Sequence, residues 1–237
     1  MSSLIYIMSK SFTTKYSNLN ASLITATELK KNKYSKLQMV SFVHYDSNLP
    51  LIIQLPKIHL ETYGIPRINQ YVTEDSKRMV IKVPLNTLTD PKILELSKIL
   101  IDIDTHISSP EFACHVLGEN YKKYSYSPIY RHIDDTDKLD YFKLKLDVDY
   151  QNGSIKTQLY KDGEQVQDIN NIDDFSRVLC YNSKFTGVIK IDKIWAQPST
   201  LLNPIWGITL KLLKARVEEP DINYHEGTIE FIDSDEE

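Results

Sequence analysis

The chain has 237 residues, 41% of them apolar and 10% aromatic, with 28 basic and 32 acidic side chains. That balance supports a real hydrophobic core and excludes a mostly disordered chain. Two cysteines, Cys114 and Cys180, exclude a disulfide framework and have no metal-ligand spacing, so a reduced, intracellular setting is the expectation. The net charge of −4 is unevenly spread: residues 218–237 hold nine acids and no Lys or Arg, which leaves +5 on residues 1–217. A terminal block of like charge serves either as a solubility tail or as a tail that competes with a polyanion for a basic body.

Residues 1–35, rich in Ser, Thr, Asn and Lys, read as a loosely packed arm with a short strand at Leu4–Met8. The opening MSSLIYIMSKSF is too short and too polar-flanked for a signal peptide, and no stretch approaches the ~20 apolar residues of a membrane span. From residue 36 to residue 217 the pattern is that of one domain. Leu37, Met39, Ser41, Val43 and Tyr45 alternate with Gln38, Val40, Phe42 and His44, which predicts a strand buried on both faces. After a turn at Asp46-Ser47-Asn48, Leu51–Leu55 is a second strand that Pro56 confines to an edge or an end. Lys77–Val83 is a third, closed by Pro84.

Thr89-Asp90-Pro91 is a helix start, and Ile93, Leu96, Ile99, Leu100 and Ile103 follow at helical spacing, predicting one main helix over 91–104. Residues 108–131, with two Pro, one Gly and many Tyr, read as a loop region with short extended pieces. Phe142, Leu144, Leu146, Val148 and Tyr150 alternate with Tyr141, Lys143, Lys145, Asp147 and Asp149. The apolar set should face the core. Asn152-Gly153 predicts a hairpin with Ile155–Tyr160 as the return strand, and Asp162-Gly163 predicts a second hairpin with a short strand at Glu164–Gln167. Phe175–Tyr181 is extended or briefly helical. A last pair of strands spans 185–217, with both tryptophans, Trp195 and Trp206, in it. About eight mostly antiparallel strands and one helix fit a closed or partly closed barrel, since closure removes exposed edges.

Enzyme motifs are scarce. There is no Gly-rich phosphate loop and no GxSxG, and His59 and Glu61 lack the spacing that places two ligands on one helix face. Asp102, Asp104 and His106 read as solvated residues at a helix end, Asp134, Asp135 and Asp137 as a turn, and Cys180 as a buried thiol. No set reads as catalytic and none as a metal site, and no cofactor is implied. What remains is a mixture of rings and cations: Tyr121, Lys122, Lys123, Tyr124, Tyr126, Tyr130 and Arg131, then Tyr141, Lys143 and Lys145, then Lys190, Lys193, Lys211, Lys214 and Arg216. Single-stranded nucleic acid requires both, cations along the phosphates and flat rings against unpaired bases. The competing reading is that the tyrosines pack the rim of the core while the lysines solvate the outside.

The segment PLIIQLPKIHLETYGIP, a following strand and helix, YSPIYR, the KLKLD strand and the closing GVIKIDKIW…PIWGITLKLLKARV together resemble a family of nucleocytoplasmic large DNA viruses. That family is similar to single-stranded-DNA-binding proteins of the phage T7 type. The resemblance covers roughly residues 36–217. It implies a mainly β, OB-like antiparallel barrel with one inserted α-helix. It also implies a disordered acidic C-terminal tail that competes with DNA and recruits a replication polymerase or helicase. The chain would then be a non-enzymatic single-stranded-DNA-binding protein of viral DNA replication and recombination, located in the host cytoplasm, at a viral factory, or in the nucleus, with a homodimer left open. The chain departs from the phage pattern in that Phe231 is followed by IDSDEE, whereas the phage-type tail ends on an aromatic. The alternatives are a structural or virion-associated β-protein of a large DNA virus, with a large homomeric interface, and an enzyme subunit.

Overall fold

The computed structural model describes residues 13–32, 38–46, 49–62, 64–66, 68, 72–135, 137–149 and 151–218. The expected strand at Leu4–Met8, Leu37, the Ser47–Asn48 part of the first turn, Tyr150 and tail residues 219–237 lie outside the described residues. The strands are β1 (Thr13–Lys15), β2 (Ile24–Ala26), β3 (Lys30–Lys31), β4 (Met39–Tyr45), β5 (Leu51–His59), β6 (Val80–Leu85), β7 (Ser125–Ser127), β8 (Asp140–Leu146), β9 (Gln158–Lys161), β10 (Glu164–Gln165), β11 (Lys184–Ala196) and β12 (Ile205–Glu218). The helices are α1 (Asp75–Arg78), α2 (Pro91–Ile107), α3 (Pro110–Leu117) and α4 (Ile172–Val178).

All twelve strands join one mixed sheet whose main path runs β1-β5-β11-β12-β8-β6. β11 and β12 form the long antiparallel hairpin expected at the end of the domain. The other edge of β12 is different in kind: β7, β8 and β9 pair with it in succession, all parallel. Among the described residues, a mixed sheet with four α-helices replaces the expected antiparallel barrel with one helix. The sheet curls until β5 and β6, three strands apart on the path, approach each other, but no strand pairing between them closes the ring among the described residues. Pro56 on β5 and Pro84 on β6 each lack an N–H to donate to a ladder. A side-chain bond from Asn86 Nδ2 to Glu61 Oε1 at 2.9 Å spans the gap.

Each long strand changes its inward parity at a bulge. Leu55 and Pro56 together oppose Gly187, so β5 buries Leu51, Ile53 and Leu55 before that point and Ile58 after it. β11 buries Ile189 and Ile191, then Ile194 and Ala196; β12 buries Leu210 and Leu212, then Ala215 and Val217, each across a register shift. β4 is half-buried, not buried on both faces: Ser41 and Val43 point inward and Phe42 is 53% exposed. On β8, Phe142, Leu144 and Leu146 are wholly buried as the alternation predicts, and Val148 is partly buried.

Residues 13–32 are built into the sheet, where the sequence suggested a loose arm. β1 pairs with β5, β2 and β3 pair with β4, and Tyr16 and Ile24 belong to the core. The Asn152-Gly153 turn exists, closed by Asp149 and Ser154, but the return strand does not pair back along β8. Leu146 sits beside Leu212 and Gln158 beside Lys214, so residues 147–157 are a side excursion from a course that resumes along β12. Buried Thr157 closes its neck, accepting from Asp147 N at 2.8 Å and donating to Leu212 O at 2.7 Å. The Asp162-Gly163 hairpin forms as expected, both residues at positive φ.

α2 begins as predicted, with the Asp90 side chain accepting from Lys92 N, and lays Ile93, Leu96, Leu100, Ile103 and Ile107 on β5 and β6. The stretch expected to be a loop contains α3, started by the same device: Ser109 accepts from Phe112 N and Pro110 follows at the first helical position. Asp104, expected in solvent, is a buried anchor. Its Oδ1 accepts from Tyr126 Oη at 2.6 Å and Ile129 N at 2.8 Å, and its Oδ2 from Tyr130 N at 2.9 Å. Burial pushes this carboxyl up, and the three donors only partly oppose that. In Asp104→Asn an amide N–H must face a backbone N–H or the Tyr126 hydroxyl. We expect a loss of ~1–3 kcal/mol in urea unfolding, even though a buried charge is removed.

Candidate nucleic-acid interface

The expected basic and aromatic residues divide into four groups. Tyr126 and Tyr130 are structural. Tyr126 packs 4.9 Å from the Trp206 ring, and burial, then Asp104, pushes its hydroxyl far above the ordinary tyrosine range. Tyr130 donates to Asp140; burial and that carboxylate raise it to about 12. Tyr121 and Tyr124 are half-buried against the core, with Lys122 Nζ 5.9 Å from the Tyr121 ring and Lys123 exposed on the same short 3-10 turn, Glu119–Lys123.

Lys190 and Lys211 are neutralised. Lys211, Lys190 and Lys145 form a row across β12, β11 and β8. Asp192 lies 2.9 Å from Lys190 Nζ and 3.3 Å from Lys211 Nζ, and Asp147 is 3.1 Å from Lys211 Nζ. Burial works against the Asp192 carboxylate, yet the bond from Lys190 and the charges of both lysines hold its pKa below the usual range. Lys211 is likewise held above its ordinary value by the two carboxylates, against burial. Lys214 and Arg216 lie beyond the β12 bulge beside β9, Lys214 5.8 Å from the Tyr160 ring, and Lys193 pairs across from exposed Phe42.

The remaining group converges. β6 and β8 run antiparallel with Lys82 directly opposite Lys143 and Val80 opposite Lys145. A like-charged cross-strand pair is unfavourable in itself. Lys82 Nζ also lies 5.0 Å from the Tyr141 ring, and Arg131, bridged to Tyr141 through the backbone, donates from Nη2 to Ser127 Oγ at 2.6 Å. Two depressions meet on this face and share Val80 and Lys143. The smaller, about 340 Å³, is bordered by Arg131, Lys143, Lys145 and Trp195. The larger, about 830 Å³, is bordered by Lys77, Lys82, Lys143, Arg177 and Tyr181. Among the described residues, six cations line the two and no acid does. Gly207 lets the strands close up beneath Trp195: a Cβ there would stand 2.9 Å from Ser127 O and 3.2 Å from Trp195 Cζ2.

No family model matches the chain, and no curated protein is similar to it.

Arg131, Lys143, Lys145 and Tyr141 are thus brought together from the expected set. Lys77, Lys82, Arg177, Tyr181 and Trp195 join them unanticipated. Lys82 was legible: it alternates with Ile81 and Val83, which puts it on the outer face of its strand. Arg177 and Tyr181 come from α4 and the residues after it, with no local signal that they face β6. Among the described residues, no three His, Cys, Asp or Glu side chains are disposed to hold a metal ion, and no helix is long and apolar enough to cross a membrane. Glu218, the last described residue, reaches Lys57 at 2.7 Å, off the basic depression.

The Asp192 pairing has a definite pH signature. Its folded pKa lies below the ordinary 3.8, so the stability it contributes is present above about pH 3.8 and is lost as pH falls through the folded value. Asp192→Asn should therefore flatten the acid limb of melting temperature against pH below that point, relative to the unaltered protein. Parallel acid limbs would mean that the pair is not formed.

Proposed function

We propose that the chain is a non-enzymatic single-stranded-nucleic-acid-binding protein whose binding face is the outer surface of β6 and β8. The observation that carries this reading is the run of Lys77, Lys82, Arg131, Lys143, Lys145 and Arg177 along two continuous depressions, with no acid among the described residues that line them. Lys82 stands directly opposite Lys143, and two like charges so placed suit a phosphodiester backbone, which carries one negative charge at each step. Trp195 and Tyr181, one in each depression, are the rings placed to accept bases. Groups already neutralised by Asp192 and Asp147 take no part. DNA is the partner that the family resemblance favours, in viral replication and recombination within the host cytoplasm or nucleus.

The reading predicts salt-linked affinity. Lys143→Ala and Lys82→Ala should each make log affinity for a fluorescent oligothymidylate less steep against log salt by about 0.7. Lys214→Ala, off the depressions, should leave that slope unchanged. Unaltered slopes in the first two would remove this face as the binding site.

The acidic segment 218–237 acts, on the same proposal, as a tethered competitor for the basic face and as a handle for a polymerase or helicase. Truncation after Glu218 should tighten oligonucleotide binding at low salt, with a gain that shrinks as salt rises, because screening weakens the tail's own attraction. Equal affinity at low salt would leave the tail as a solubility device or a partner-only peptide.

A further inference from the structure

The larger depression differs from its neighbour in volume and in the makeup of its lining. Its lining sets the apolar, half-buried Ile65, Pro66, Val72 and Val80 beside the exposed Lys77, Lys82, Lys143 and Arg177 and the 65% exposed Tyr181. A volume of about 830 Å³ lies in the range of small-ligand sites and exceeds what a passing backbone requires.

Its walls come from three separate parts of the chain, and one buried residue fastens them. Arg78, 2% exposed, donates from Nε to Pro66 O at 2.8 Å, from Nη1 to Asp75 at 2.9 Å and from Nη2 to Asp173 at 2.6 Å. The 64–66 loop, α1 and α4 are thereby tied together, and Gly64 lies beside the Tyr181 backbone. Asp75 and Asp173 are turned to Arg78, and Asp174 pairs with Arg177 at 3.2 Å. Among the described residues that border the cavity, Lys77, Lys82, Lys143 and Arg177 are charged and no carboxylate is present.

Resting on the nucleic-acid reading above, we infer that this cavity is a nucleoside-phosphate site. The base lies against the apolar lining beside Tyr181, and a phosphate monoester is held by Lys82, Lys143 and Arg177. A monoester carries close to two charges near neutral pH, against one for an internal phosphodiester, so it suits a cluster of cations better. Two sources supply that chemistry: the phosphorylated end of a strand lying along β8, and a free nucleotide.

The test uses the full chain. ATP, in EDTA to exclude magnesium, is titrated by calorimetry. Oligothymidylates of about ten residues, phosphorylated at the 5′ end, at the 3′ end or at neither, are titrated by fluorescence anisotropy. Arg177→Ala and Tyr181→Ala, both at exposed positions and checked by thermal melting, should weaken ATP binding about fivefold or more, as loss of one charge-assisted or stacking contact does. Lys214→Ala, off both depressions, should leave it within about twofold. A preference for one phosphorylated end, abolished by Arg177→Ala, supports the strand-end source; ATP binding without such a preference supports the free nucleotide. Absence of saturable ATP binding together with equal affinity for all three oligonucleotides overturns the inference, while oligonucleotide binding itself leaves the nucleic-acid reading standing. ATP binding with no oligonucleotide binding does the reverse.

Discussion

The fold depends on a carboxylate that is out of water. Asp104 projects from α2 into the core and collects a hydroxyl and two backbone amides from residues 126–130. Those residues have little regular structure of their own, since β7 is three residues long. Without an acceptor their buried amides would have no partner, and the chain could not cross the end of the sheet at that depth. Because they are held there, Arg131 and Pro128 border the basic face and Tyr126 fills the space against Trp206. A helix that looks structural and a surface that looks functional are thus joined through one side chain.

Charge on the outer face is allocated, not merely accumulated. Lysines occur on four adjacent strands, but two carboxylates are spent within the sheet, on Lys190 and Lys211. Both lie toward β11. Along the β8 and β6 side the described residues that border the depressions are basic, polar or apolar, so positive charge gathers there on a concave surface. Net charge alone would not reveal this, because the chain as a whole is negative.

The sequence disclosed local structure better than pairing. Alternation located β4, β5, β6, β8, β11 and β12, and the Asp90-Pro91 cap placed α2 within a few residues. It could not show that bulges at Pro56, Asp192 and Leu213 reverse the inward parity, since a reversal looks like the end of a strand. Ser109-Pro110-Glu111 carried the same cap signal as α2 and was obscured by the tyrosines that follow it. The Asn-Gly turn was real, but a turn signal cannot tell a hairpin from an excursion out of a strand whose partner lies sixty residues on. Of the candidate site, the cations on β8 were readable from their strand, whereas Trp195 and Tyr181 reach it through contacts distant in sequence. Tyr126 and Tyr130 resembled binding rings because composition does not distinguish a ring against a base from one hydrogen-bonded to a buried aspartate.

The position of β12 in the sheet has a consequence for how the protein is made. Its neighbours β7, β8, β9 and β11 all precede it in the chain, as does β5, which lies against β11. During synthesis β6 and β8 can pair early, but β5 and β8 present unfilled edges until residues 184–218 emerge. The central ladder then forms by closing loops of more than a hundred residues back to β5, an arrangement associated with slow folding. Until that moment the nascent chain displays apolar strands with open hydrogen-bonding edges, the condition under which chains pair with one another. The last hairpin is therefore both the centre of the finished sheet and the step that ends the vulnerable period of its assembly.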